Sequence, residues 1–305
     1  MNLKVSTNHE INRQQWDRCI EQSENCLPYA CAWWLDAVCP MWEALVEDDY
    51  LAVMPLTTAH RFGFDYIYQP YFTQQLGVFS QAKLTTADTN TFLRAIPDNF
   101  RYVYLHLNGL NNPSDHDFNY TVRKNHVLDL SLPALQLYNR YHRNCRRNIQ
   151  KAVHARLTVK PGPGPTAFIR FIKQNLERKL TGRKRSFYPV LLQLTSVSIQ
   201  NGTGEIIGVY NPAGELLAAG WFVTMSGRCM FLVCASTAKG KDNQAMYLLV
   251  NYAISDNAGT GLVFDFAGSN IPGVAYFNNG FGSTITSYLS AQRNRLPWPF
   301  RLFKK

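Results

Sequence analysis

Residues 228–282, RCMFLVCASTAKGKDNQAMYLLVNYAISDNAGTGLVFDFAGSNIPGVAYFNNGFG, decide the fold of this chain. The run RCMFLVCAS predicts a buried strand. After a polar, glycine-containing turn, AMYLLVNYAISDNAG has apolar residues three or four apart, as in a helix. LVFDF predicts a second buried strand, and VAYFNNGFG a further short helix or loop. Such a strand, turn, helix and strand place backbone N–H groups at a helix start beside strand ends, where ligands commonly bind.

Composition bounds the class of protein. With 305 residues the chain exceeds the usual size of one core, so we expect two domains. The 31 Lys and Arg residues against 21 Asp and Glu residues leave a net charge of +10, which favours contact with phosphates or other anions. The seven cysteines form no Cys-x-x-Cys pair and have no His partners at zinc spacing, so we expect reduced thiols and no metal site. No secretory signal and no run of about 18 apolar residues is present, which predicts a cytoplasmic protein.

The two halves of the chain share a pattern of helices, hairpin, strand, helix and strand. WEALVEDDYLAVMPL at 42–56 predicts a hairpin in the first half, and residues 204–236 predict three antiparallel strands in the second. The segment LDLSLP at 128–133 marks the predicted boundary, which gives domains at 1–132 and 133–305. In the first half, RFGFDYIYQPYFTQQ at 61–75 mixes aromatic residues with Gln, which suits the lining of a groove or simple packing of the rings.

A basic helix is predicted to open the second half. In residues 134–160 one apolar stripe recurs at spacings of three and four, made of Tyr138, Tyr141, Cys145, Ile149, Ala152 and Val153. The other side is basic and carries Arg140, Arg143, Arg147, Lys151 and His154. This side is either a solvated face or a surface for an anionic ligand, and Arg146 lies between it and the stripe.

Three motifs of the second half resemble the FemAB-like branch of the GNAT N-acyltransferase superfamily. RYHRNCRRNIQKAV at 140–153 is similar to the basic segment of that branch, and Asp265 and Phe266 with Gly268 and Ser269 resemble its Asp-Phe-x-Gly strand end. GVAYFNNGFG at 273–282 resembles its closing motif, with Asn278 where that motif has Lys. The resemblance implies two tandem GNAT-like domains in a mixed α+β and α/β fold, each a mostly antiparallel central sheet flanked by helices.

The same resemblance implies an acyl donor held before the central helix. GNAT enzymes use a glycine-containing cradle of backbone N–H groups for the pyrophosphate of coenzyme A. The cradle here lacks its first glycine and its basic or glutamine residue, so acyl-CoA and aminoacyl-tRNA, the donor of relatives that build peptidoglycan bridges, both remain open. The predicted donor-binding residues are Ser236, Lys239, Gly240, Lys241, Asn243 and Gln244, and the predicted substrate-binding residues are Arg146, Arg147 and Ser269.

Acyl transfer to an amine needs a group for the developing oxyanion, a base and a proton for the leaving group. The resemblance implies that a splayed strand at Cys229–Ser236 supplies backbone N–H groups for the oxyanion. Tyr276 is the predicted general acid, unless Phe277 takes the position that faces the site. Asp265 is the predicted general base or amine-orienting group, with a helix cap or a pairing to Arg146 or Arg147 as the structural alternative. Cys234, without a positioned His, is expected to pack as an apolar residue.

The prediction is an N-acyltransferase that moves an acetyl, acyl or aminoacyl group from a thioester or ester donor to an amine. The alternative is a catalytically silent protein with two GNAT-like domains, which binds RNA or an acidic ligand through an interdomain groove and the basic helix.

Overall fold

The computed structural model describes residues 2–176, 186–268, 270–298 and 300–303. Its strands are β1 Leu3–Thr7, β2 Glu43–Glu47, β3 Ala52–Leu56, β4 Thr58–Arg61, β5 Phe64–Ile67, β6 Phe79–Ser80, β7 Phe100–His106, β8 Asn119–Asp129, β9 Thr158–Pro161, β10 Gly204–Tyr210, β11 Leu216–Met225, β12 Arg228–Ser236, β13 Val263–Asp265 and β14 Thr284–Asn294. Its helices are α1 Arg13–Gln22, α2 Ala32–Val38, α3 Thr86–Arg94, α4 Ala134–Arg140, α5 Arg143–His154, α6 Pro165–Leu176, α7 Phe187–Gln200, α8 Ala238–Asp242, α9 Ala245–Asp256 and α10 Pro272–Asn279. In the described ranges, no helix combines the length and the hydropathy needed to cross a lipid bilayer.

The chain forms two compact units. The first unit contains Met1–Arg123 and Ser287–Lys305, and the second contains Lys124–Thr286. The domains 1–132 and 133–305 stay a prediction, and the chain after Thr286 belongs to the first compact unit. Ser290 on β14 pairs with His106 on β7, far away in the sequence. A strand pairing over such a distance leaves no local sequence pattern from which a domain boundary could be predicted.

The first unit packs two sheets around one core. β1, β2, β3 and β6 form one sheet, in which the predicted hairpin is confirmed by the antiparallel register of Leu45 with Met54. The second sheet of this unit runs β4, β5, β7 and β14, with β5 and β7 parallel. Helix α3 begins at a capping box, in which Thr85 and Asp88 bond each other's backbone N–H. The core between these elements includes Leu45, Met54, Ile67, Phe92, Val103, Leu105 and Ala291.

The second unit contains the predicted strand, helix and strand. Its sheet runs β8, β13, β12, β11, β10 and β9, and every pairing for which a register is known is antiparallel except that of β12 with β13. Helices α5 and α9 pack on the sheet through a core that includes Ile149, Phe222, Leu249, Val250, Phe264 and Phe281. These antiparallel-rich sheets with flanking helices confirm the predicted fold class.

The predicted basic helix is two helices rather than one. α4 ends at Arg140 and α5 begins at Arg143, with Tyr141 in extended backbone between them. The predicted apolar stripe is buried at Tyr141, Cys145, Ile149 and Ala152, whereas Val153 is exposed and does not belong to it. The basic residues opposite the stripe are all exposed to solvent, namely Arg140, Arg143, Arg147, Lys151 and His154.

Asp265 is the last residue of β13 and is buried in the sheet of the second unit. Its carboxylate accepts hydrogen bonds from the Asn125 side chain on β8, from the Arg228 guanidinium on β12 and from the Ala267 backbone N–H, each at 2.8 Å. The predicted pairing with Arg146 or Arg147 is wrong, because Arg228 on the neighbouring strand is the partner. This carboxylate therefore ties two strands and the following turn to the end of β13.

Replacing Asp265 with Asn is expected to lower the free energy of unfolding by about 3 kcal/mol, since it leaves the partly buried Arg228 without its counter-charge. Denaturant unfolding of the variant against the native chain measures this loss. Asp256→Asn, at the exposed end of α9, is the matched control and should change stability by less than about 0.5 kcal/mol. Equal stability of the native chain and Asp265→Asn would show that the ion pair is not structural.

His106 at the end of β7 is held neutral in the first unit. Its Nδ1 donates to the Gln74 carbonyl at 3.0 Å, which leaves Nε2 to accept from the Tyr104 hydroxyl at 3.1 Å. Burial lowers the pKa of His106 from 6.5 to about 4, opposed by the Gln74 carbonyl and assisted by the charge of Arg123. The Arg123 guanidinium in turn donates to the Tyr104 hydroxyl at 2.9 Å.

Because the folded pKa of His106 lies below the unfolded one, the unfolded chain binds the extra proton between about pH 6.5 and pH 4. Stability that is complete above pH 6.5 should therefore fall as the pH is lowered through this window. Between pH 7 and pH 4.5, we expect the free energy of unfolding to fall by about 2 kcal/mol less in His106→Gln than in the native chain. Denaturant unfolding at both pH values measures this difference, and equal losses in the two proteins would contradict it.

Candidate functional site

Strands β12 and β13 pair over three residues and then separate. Arg228, Cys229 and Met230 pair in parallel with Val263, Phe264 and Asp265, where β13 ends. β12 continues to Ser236 along β11, and a bulge places Leu232 outside the register between Phe231 and Val233. β13 therefore forms a ladder with β12 only as far as Met230, and the residues of β12 after Met230 have no partner in β13. The splayed strand implied by the resemblance is therefore present at the predicted position.

A pocket of about 410 Å³ opens at this separation. Its walls are mainly apolar and include the rings of Phe231, Tyr247, Phe266 and Phe277. Polar groups come from Ser236, Lys241, Gln244 and Asn278, and Lys241 is the only charged side chain among the described residues that line the pocket. This composition suits an apolar ligand group with a small number of polar contacts.

Four backbone N–H groups of the predicted phosphate cradle are already bonded within the chain. Residues 238–242 are wound into α8, where the Gly240 N–H donates to the Thr237 hydroxyl at 2.9 Å and the Lys241 N–H to the Thr237 carbonyl at 3.0 Å. The N–H groups of Asn243 and Gln244 donate to the carbonyls of Lys239 and Lys241, both at 3.1 Å. The backbone N–H groups of Gly240, Lys241, Asn243 and Gln244 are thus satisfied within the chain and are not offered to a pyrophosphate.

The six predicted donor-binding residues divide into two groups. Ser236, Gly240, Lys241 and Gln244 line the pocket. Lys239 and Asn243 do not, because the Lys239 ammonium pairs with Glu215 at 2.7 Å and the Asn243 amide donates to the Lys239 carbonyl at 2.9 Å.

The predicted catalytic pair is not assembled in the pocket. Asp265 is absent from its lining, and its carboxylate is engaged by the three donors described above. Tyr276 is also absent, with 67% of its surface exposed, whereas the next residue of α10, Phe277, lines the pocket. Of the two residues that the sequence left open on α10, Phe277 is therefore the one that lines this pocket.

Tyr247 is a pocket residue that the sequence prediction missed. It lies in the first turn of α9, and its ring packs against that of Phe277 at 4.8 Å between centroids. Burial raises the pKa of Tyr247, opposed by a hydrogen bond with the Asn148 side chain, so the phenol is protonated at neutral pH. Its position in the sequence could have identified it, because Tyr247 lies outside the buried face of α9, which includes Leu249, Val250 and Ile254. It also follows closely after the predicted donor-binding turn.

Two further pocket residues have clear structural roles. Asn278, which replaces the motif lysine, is buried and donates to the Gly268 carbonyl at 2.9 Å, which ties α10 to the turn after β13. Burial raises the pKa of the Cys234 thiol to about 12, so it remains protonated at neutral pH, in keeping with its predicted packing role.

The predicted substrate-binding residues lie apart from this pocket. Arg146 and Arg147 are absent from its lining, and the Arg147 guanidinium donates to the Asn144 side chain at 2.7 Å. Ser269 lies outside the described residues. In the described part of the chain, no group of three His, Cys, Asp or Glu side chains lies close enough together to hold a metal ion.

Comparison of the sequence finds no matching family model and no matching curated protein. Comparison of the fold finds solved structures of low sequence identity. The structure of FemX superposes with a TM-score of 0.70 at 12% identity and covers 100% of both chains. The structure of L-PGS from Bacillus licheniformis has a TM-score of 0.54 at 12% identity, over 95% of this chain and 93% of that one. A GNAT-family acetyltransferase from Colwellia psychrerythraea has a TM-score of 0.50 at 13% identity, over 95% and 99%.

At these identities the likeness shows the fold alone. This chain has the fold of FemX, in agreement with the fold that the resemblance implies.

Proposed function

We propose that this protein is an N-acyltransferase that moves an acyl or aminoacyl group from an activated ester to an amine. The observation that carries the proposal is the pocket at the separation of β12 from β13, because it joins a bulged backbone edge to an apolar cavity. Backbone N–H groups beyond Met230 would stabilise the oxyanion that forms when the amine attacks the carbonyl carbon. The fold likeness to FemX and to a GNAT acetyltransferase supports the same class of chemistry.

Between the two predicted donors, the pocket favours an aminoacyl ester such as aminoacyl-tRNA over acyl-CoA. The pyrophosphate of acyl-CoA would meet N–H groups that are already bonded in α8. The amino acid side chain of an aminoacyl ester would instead pack against the aromatic rings of the pocket. Lys241 would place one positive charge beside the phosphate backbone of such a donor. The acceptor amine, the substrate roles of Arg146, Arg147 and Ser269, and the cytoplasmic location stay predictions.

Tyr247 is the proton donor that we assign to the leaving group. As the amine attacks and the carbonyl–oxygen bond breaks, the departing ribose oxygen takes the phenolic proton, and the Tyr247 phenolate then takes the proton that the attacking nitrogen loses as the amide forms. The raised pKa of Tyr247 keeps that proton in place before reaction. Its ring lies against Phe277, which adjoins Tyr276, the residue for which the resemblance implies the general acid.

A non-reactive donor analogue tests the choice of donor. A 3′-aminoacylamino adenosine with a phenylalanyl side chain, in which an amide replaces the ester, should raise the melting temperature of the protein. An S-alkyl coenzyme A at the same concentration should not, because the cradle donors are occupied. Phe277→Ala should reduce the first shift, and the exposed control Asp242→Asn should preserve it. Stabilisation by the coenzyme A analogue alone would contradict the assignment.

The two tyrosines give a matched test of the proton donor. With aminoacyl-tRNA and a panel of amines, Tyr247→Phe should lower kcat by about 100-fold or more while preserving binding of the analogue. Tyr276→Phe, on the exposed side of α10, should leave kcat within about twofold. The reverse result would restore the original prediction for Tyr276.

The alternative, a silent protein that binds an RNA or an acidic ligand, is favoured by the occupied carboxylate of Asp265 and the occupied N–H groups of α8. Absence of turnover with every donor, together with salt-sensitive RNA binding, would support it against the enzyme.

A further inference from the structure

The outer face of the second sheet in the first unit carries aromatic rings. On β5, Ile67 points into the core. Because successive side chains of a strand point to opposite faces of the sheet, Phe64 and Tyr66 lie on the face opposite to the core. Tyr66 pairs with Tyr102 on β7, where a register shift after Asp65 leaves Val103 on the core side. This face contains part of the aromatic segment that the sequence suggested as a groove lining.

These rings line a second pocket of about 410 Å³. Its lining consists of Arg61, Phe62, Phe64, Tyr66, Tyr102, Leu296 and Phe300. The Phe300 ring closes on Phe64 edge to face, with 5.4 Å between centroids. Six of the seven described lining residues are apolar or aromatic, and Arg61 supplies the only charge among them.

Phe62 occupies an unusual position at the tip of the β4–β5 hairpin. Its φ of +53° lies in the left-handed region that a bulky residue rarely adopts, and Gly63 follows with φ of +79°. The side chain is 71% exposed, so core burial does not account for an aromatic residue at this strained site. Its ring instead lies beside the pocket, with the Arg61 guanidinium 4.6 Å from the ring centroid.

The charge at the pocket entrance is positive. Arg61 forms no ion pair with any described residue, and its side chain is exposed. The nearest acid along the hairpin, Asp65, is engaged by His60 at 2.7 Å and by the Asn99 amide at 3.3 Å. A ligand with an apolar body and an anionic end would satisfy both the rings and the guanidinium.

We propose that this aromatic pocket binds a single-chain anionic amphiphile. The alkyl chain lies among the rings of Phe64, Tyr66, Tyr102 and Phe300, and a carboxylate or phosphate head meets Arg61 at the hairpin tip. A nucleobase fits less well, since the described lining offers no amide or carboxylate side chain to bond its edge. This site lies entirely within the first unit and does not depend on the acyl-transfer proposal.

Calorimetric titration with dodecyl phosphate below its micelle concentration tests the site. The native chain should bind it, with affinity rising about fourfold for each methylene added between octyl and dodecyl phosphate. Inorganic phosphate should not bind measurably, and dodecyltrimethylammonium should bind at least tenfold more weakly because its head repels Arg61. Equal affinity for the anionic and cationic heads would overturn the proposal.

Variants separate this pocket from other apolar surfaces. Arg61→Gln and Phe62→Gly should each weaken dodecyl phosphate binding at least tenfold, and Phe62→Gly should not lower the melting temperature because glycine suits its backbone. Arg101→Gln, an exposed cation on β7, and Leu110→Ala, an exposed apolar residue, are the matched controls. Phe277→Ala, in the other pocket, should leave this affinity unchanged.

Two outcomes would overturn the proposal that this pocket binds the amphiphile. Binding lost in Phe277→Ala but retained in Arg61→Gln and Phe62→Gly would place the amphiphile in the second unit. Binding to phosphatidylglycerol vesicles without any binding of the monomeric amphiphile would show adsorption to a lipid surface instead.

Discussion

The carboxylate of Asp265 is the constraint on which the candidate site depends. It lies where β13 ends and bonds groups from β8, from β12 and from the turn that follows. The ladder between β12 and β13 ends at Met230 and Asp265, so the three hydrogen bonds to this carboxylate hold the strands together at the point where their backbone pairing stops. The same carboxylate holds the N–H of Ala267, whose φ of +48° is a left-handed conformation that a non-glycine residue adopts at a cost. A buried ion pair therefore stabilises an opening in the sheet.

The opening becomes a site because neighbouring elements are fixed around it. The bulge at Leu232 turns the edge of β12, and the amide of Asn278 ties α10 to the Gly268 carbonyl, which sets the rotation that places Phe277 in the pocket. Gly220 on β11 is required behind this wall, because a Cβ there would lie 2.8 Å from the Phe231 ring. The walls are mainly apolar, and in the proposed function the electrostatic stabilisation of a reacting carbonyl falls to the backbone.

Local patterns in the sequence were sufficient for the elements but not for the contacts between them. Apolar periodicity predicts β12, α9 and β13, because each buries a face that its own residues encode. The Asp265–Arg228 pair joins residues on adjacent strands through a register that periodicity does not specify, so Arg146 and Arg147 were equally plausible partners. Tyr276 and Phe277 differ by about 100° around one helix, and tertiary anchoring through Asn278 decides between them. The break between α4 and α5 was missed because the apolar stripe continues across it.

Helix α8 shows why a missing motif carries information about the ligand. A cradle binds a pyrophosphate because its backbone N–H groups have no partners in the chain. Once residues 238–242 wind into a helical turn capped by Thr237, those donors are satisfied internally, and breaking them for a ligand would cost as much as the new bonds return. In the proposed function, affinity for a donor comes from the aromatic walls, which contact the transferred group, and from Lys241, which lies beside a negative charge of the donor. In the proposed function, donor selection therefore rests on side chains rather than on backbone amides, so that substitutions in the walls leave the strand separation between β12 and β13 intact.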